Sequence, residues 1–134
     1  MITEDRVTFE IAKLLRDKGF DEPCDYIYDE DNLKWVYHEF IFFSGGGLVT
    51  NSKLKDINGE IITAPTLQMA MKWLREVHNM YIEVCTDKAY NLKDIVFQPA
   101  IYNKELNCLW ESDNFSTYEE AVDAALKYIL ENLM

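Results

Sequence analysis

Residues 64–86 read APTLQMAMKWLREVHNMYIEVCT, and within them a period of three to four residues gives way to a period of two. Pro65 keeps the residue before it out of helical conformation, and Thr66 can cap the first turn, so a helix is expected to start at Thr66 or Leu67. Leu67, Ala70, Met71, Leu74 and Val77 recur at helical spacing, and Met69 and Trp73 widen the stripe. The exposed face is then narrow. His78 and Asn79 close the helix, because Asn tolerates the left-handed conformation at a helix end. Met80, Ile82 and Val84 then alternate with Tyr81, Glu83 and Cys85, which predicts a half-buried strand after almost no loop.

Outward from this unit, the clearest element is the last helix. Ser116 or Thr117 caps it, Glu119 or Glu120 closes a capping box, and Tyr118, Ala121, Val122, Ala125, Leu126, Ile129, Leu130 and Leu133 form one face. Ala121 and Ala125 allow close approach to a sheet, and Asp123 with Lys127 forms a pair four residues apart on the solvent side. A first helix is expected from a Thr3 cap, with Val7, Ile11, Leu14 and Leu15 inward, Gly19 as its stop and Phe20 folded back onto Leu15. Cys24 to Tyr28 reads as a short strand before the polar turn Asp29–Asn32. Ile95–Tyr102 and Leu106–Ser112 read as a hairpin, with Pro99 confined to an edge or a bulge because it cannot donate to the ladder. Residues 48–62 give mixed signals, with a turn at Asn58–Gly59 and a brief extended stretch at Glu60–Thr63.

These patterns predict an α+β fold, an antiparallel sheet with about three helices, roughly 4–18, 66–78 and 117–132, packed on it. No repeat, linker or low-complexity segment divides the chain, so residues 1–134 are read as a single domain with one core.

Twenty-four acidic against thirteen basic residues give a net charge of −11, which repels phosphate and argues against direct nucleic-acid binding. The absence of an eighteen-residue apolar run and of a basic-then-apolar leader argues against membrane and secretion, so a cytoplasmic protein is expected. Cys24, Cys85 and Cys108 form no Cys-x-x-Cys pair and read as reduced and mostly buried.

Motifs for chemistry are weak. Gly45–Gly47 is followed by neither Lys-Ser nor Lys-Thr, so it reads as a turn and not as a phosphate loop. The acidic turn from Asp29 has Lys34 and Phe40 where a calcium loop needs Gly and Glu. Cys24, His38, His78, Cys85 and Cys108 lack metal-ligand spacing, though convergence in space stays open. No catalytic residue, cofactor or metal site is therefore assigned.

The aromatic run LKWVYHEFIFF, residues 33–43, is expected as one or two strands. It leaves neither face polar, so Trp35, Tyr37, Phe40, Phe42 and Phe43 are candidate partner-binding residues, with a second copy of the chain as the natural first partner.

The segments APTLQMAMKWLREVHNMYIEV and STYEEAVDAALKYILENL together resemble small uncharacterised proteins encoded in prophage and mobile-element regions of gut anaerobic bacteria. The resemblance implies an accessory protein and carries no catalytic residue. The leading expectation is a non-enzymatic protein that binds another protein. Two alternatives stand beside it: a small-ligand binder or enzyme built from distant residues around His38, His78 or Cys85, and an acidic mimic of nucleic acid that uses Asp29, Glu30, Asp31, Asp113, Glu119, Glu120 and Asp123.

Overall fold

Thr66, the expected helix cap, is also a boundary: in the computed structural model the chain divides into two compact units, Met1–Thr66 and Leu67–Met134. The structure describes residues 2–36, 48–55, 61–91 and 93–134. The fold is α+β, with two antiparallel sheets, each three-stranded among the described residues, and helices packed on them.

In the first unit, helix α1 spans Phe9–Asp17 and is capped by Thr8, whose side chain accepts from the Ile11 N–H. It starts later than the Thr3 cap predicts because the preceding residues are used otherwise. Arg6 bridges to Thr66, the Val7 N–H donates to the Pro65 carbonyl at 3.0 Å, and Arg6 Nη1 donates to the Ala64 carbonyl at 2.9 Å. Its end is as expected: Gly19 takes φ +94, and the Gly19 and Phe20 N–H groups donate back to Arg16 and Leu15 at 3.1 and 2.9 Å. Phe20 is buried beside Leu15.

Strands β1 (Tyr26–Asp29) and β2 (Asn32–Trp35) form a hairpin, and β3 (Ile61–Thr63) pairs with the other side of β1, giving the order β2-β1-β3. Glu30 turns the hairpin with φ +58. Ile27, Val36, Val49 and Leu54 cluster on one side, with Ile61 against them. A helical turn that sequence reasoning did not assign, α2 (Asn51–Leu54), is capped by Thr50. Asn51 is buried; its amide nitrogen donates to the Phe20 carbonyl at 2.8 Å and its oxygen accepts from the Thr63 N–H at 2.9 Å. One amide side chain thus ties the end of α1 to β3. The Asn58–Gly59 turn, Gly45–Gly47 and the rest of the aromatic run beyond Val36 lie outside the described residues.

In the second unit, helix α3 (Leu67–His78) buries Leu67, Ala70, Met71, Trp73 and Leu74 as expected. Val77 shares the direction of buried Trp73 and Ala70 yet is 55% exposed, because it lies on the final turn at the end of the helix. Asn79 takes φ +55, and strand β4 (Tyr81–Lys88) follows at once. Ile82 and Val84 are half-buried while Glu83 and Cys85 are exposed, the predicted alternation.

β5 (Ile95–Tyr102) pairs along the whole of β4 and also with β6 (Cys108–Glu111). Pro99 therefore lies on the central strand and not on an edge strand. The ladder accommodates it locally: Pro99 accepts from the Ser112 N–H at 3.1 Å, just past the end of β6 and before the Phe97–Phe115 bridge, where no donor from residue 99 is required.

Helix α4 (Tyr118–Tyr128) is capped by Thr117, whose hydroxyl accepts from the Glu120 N–H at 3.1 Å, and continues into a π-helical turn, Ile129–Leu133. Ala121, Val122, Ala125, Leu126, Ile129 and Leu130 are fully buried against β5, β4 and α3. Trp110 of β6 stacks on Tyr128 with ring centroids 4.8 Å apart. Asp123 is half-buried, which corrects its expected solvent position, and Lys127 reaches Glu131 at 4.0 Å. No helix among the described residues is long and apolar enough to cross a membrane.

Candidate functional site

The hairpin turn at Glu30 sets the register of the first sheet, so Tyr26 stands directly opposite Trp35 and Tyr28 directly opposite Leu33. Residues paired across antiparallel strands point to the same face, and this places four large side chains in one aromatic-aliphatic strip. Leu33 is 47% and Trp35 43% exposed, while the two tyrosines are half-buried. Both exposed residues belong to β2, one of the two outer strands of the sheet among the described residues.

The strip is held by fixed contacts. The Tyr28 hydroxyl donates to the Val7 carbonyl at 2.6 Å, and its ring meets Phe9 edge-on at 5.6 Å. Tyr26 lies under the Arg6 guanidinium at 4.0 Å, and Arg6 pairs with Asp25 at 3.1 Å. These contacts hold the half-buried tyrosines in place, and Leu33 and Trp35 are the more exposed members of the strip.

Of the candidate partner-binding residues, Trp35 is the last residue of β2 and is 43% exposed. Tyr37, Phe40, Phe42 and Phe43 lie outside the described residues, as does His38. Leu33, Tyr26 and Tyr28, which share the face of Trp35, are not among those candidates. The signal for the tyrosines was the Asp29–Asn32 turn, because a hairpin closed there pairs them with Trp35 and Leu33.

The cysteines divide. Cys24 is buried, its thiol pushed up to about 12, chiefly by burial and against the lowering effects of the Thr63 side chain and Arg6. Cys85 and Cys108 are exposed, contrary to the expected burial, because both pair on the face of the second sheet that carries exposed Glu83 and Glu111. None of the three is in a disulfide.

Cys85 lines an open cleft of about 540 Å³ together with Gln98, Tyr102, Glu111, Ser112 and Asp113. The Tyr102 phenol is raised above its ordinary value, first by desolvation and then by the acidic groups around it, including Cys108, Glu83, Cys85 and Glu111. His78 does not line this cleft; its ring packs edge-on against Trp73 at 4.5 Å. Among the described residues, no group of three His, Cys, Asp or Glu side chains is placed to hold a metal ion. In the acidic turn, Asp29 is engaged by Lys34 at 3.1 Å.

No family model, curated protein or solved structure matches this chain.

Proposed function

We propose that this chain is a non-enzymatic protein that acts by binding another protein, through the strip formed by Tyr26, Tyr28, Leu33 and Trp35. The observation that carries the reading is the exposure of Leu33 and Trp35 on one outer strand, backed by two anchored tyrosines. Exposed apolar side chains occur singly on any surface, but two of them beside two aromatic rings form a contiguous patch suited to contact. Aromatic groups on a rigid support lose little freedom on association and are enriched among residues that dominate binding energy. The sequence resemblance to prophage and mobile-element proteins supports extending the proposal to an accessory protein of that kind, working in the cytoplasm.

The mimic reading draws less support, since Asp29 is paired with Lys34 and Asp123 is half-buried. Carboxylates that imitate phosphates need to face solvent unpaired.

Sedimentation velocity over a concentration series tests the chain itself as first partner, and affinity purification from the native host tests others. The Leu33→Ser/Trp35→Ala double variant is expected to lose the association while keeping its fold. A wild type that stays monomeric and captures the same proteins as the double variant would overturn the proposal.

A further inference from the structure

Among the described residues of the second unit, α4 packs on the face of the second sheet that carries Ile101 and Trp110, and the register shows which residues share the other face. Glu83 of β4 and Glu111 of β6 both stand opposite Ala100 of β5, one on each side. The row thus runs carboxylate, methyl, carboxylate. The cleft of about 540 Å³ opens on the β6 side of this row, lined by Ala100, Tyr102, Glu111, Ser112 and Asp113, and Glu83 stands across Ala100 from it, outside the lining.

Three features define what this face would accept. Among the described residues no lysine or arginine lines the cleft, and none forms an ion pair with Glu83, Glu111 or Asp113. The remaining polar groups, the Gln98 amide and the Tyr102 and Ser112 hydroxyls, add further acceptors. The Tyr102 ring supplies a π surface beside them. An occupant must therefore be cationic, rich in N–H donors and flat enough to lie on a sheet. A guanidinium meets all three conditions: it binds a carboxylate with two parallel N–H donors and stacks on an aromatic ring, whereas an ammonium acts as a point charge. The net charge of −11 would also speed the approach of a basic partner.

We propose that the open face of the second sheet docks an arginine-bearing segment of a partner protein, with one guanidinium seated over Ala100 between Glu83 and Glu111 and beside Tyr102. The proposal stands on residues of the second unit alone, so it holds or fails independently of the aromatic strip in the first.

The test uses the full chain, ¹⁵N-labelled, titrated with a blocked pentapeptide of alternating arginine and threonine, and in parallel with its lysine and citrulline analogues. The arginine peptide is expected to shift the amides of Gln98, Tyr102 and Glu111 saturably, the lysine peptide to bind more weakly and the neutral citrulline peptide not to bind. Glu111→Gln, at an exposed position where folding is undisturbed, should weaken binding at least about five-fold, since a charge-assisted bidentate contact becomes a neutral one. Glu4→Gln, an exposed acid in the first unit, should leave it unchanged. Shifts scattered over the acidic surface, equal losses in both variants, or no saturable shift at the cleft would each overturn the proposal.

Discussion

Asn51 joins two backbone segments of the first unit through both ends of its amide, to Phe20 and to Thr63. Removing it leaves a buried carbonyl and a buried N–H without partners, so Asn51→Ala is expected to cost about 2–4 kcal/mol in urea melts. The neighbouring exposed Lys53→Ala should stay within about 0.5 kcal/mol. Nothing in the sequence singled out Asn51, because a polar residue amid mixed signals looks the same whether it faces solvent or satisfies two distant groups. Cys24 shows the same limit from the other side. Its thiol moves from an ordinary 9.0 to about 12 on folding. Above pH 9 the unfolded chain loses a proton that the folded chain keeps, so this contribution to stability is complete below about pH 9 and declines as pH rises toward 12. Comparing the wild type with Cys24→Ala at about pH 8 and about pH 10.5 isolates the effect, and the wild type should lose more stability over that step. A thiol reagent at about pH 8 should label Cys85 and Cys108 in the native protein, and Cys24 only after unfolding.

At the scale of elements, α3 and α4 follow their sequence patterns closely, and their buried faces give the sharpest stability prediction. Leu74 and Ile129 are both 0% exposed in the second unit. Truncating either to alanine is expected to cost on the order of 2–5 kcal/mol, and Lys127→Ala less than about 0.5 kcal/mol. Equal urea midpoints for Leu74→Ala and Lys127→Ala would contradict the packing of this unit. The helix ends were legible where a local residue decides them, as at Gly19, Asn79 and Thr117. The start of α1 was not, because Arg6 and Val7 have enough helical character to extend it and are withdrawn only by bonds to residues 64–66. Pro99 was misplaced for a related reason. A proline forbids one donated bond, and whether its strand lies at an edge depends on where β6 stops.

For the molecule as a whole, each unit has its own sheet and its own buried side chains, Ile27, Val49 and Leu54 in the first and Leu74, Ile101 and Ile129 in the second. This predicts separable protection in native-state hydrogen exchange: Leu74→Ala should speed exchange in β4 and β5 more than in β1 and β3. A uniform loss across both sheets would instead show the single cooperative domain that the unbroken sequence suggests. The sequence by itself determined the fold class, the helix and strand at residues 64–86, the final helix and the aromatic character of the hairpin. Those features are local, set by periodicity, caps and turn residues within a few positions. Only the tertiary structure decided that the strands form two sheets, that Cys85 and Cys108 face outward, and that Glu83 and Glu111 flank Ala100. Each of those depends on which strands pair and in what register, and pairing is set by the combined burial of residues distant in the chain, which no local pattern encodes.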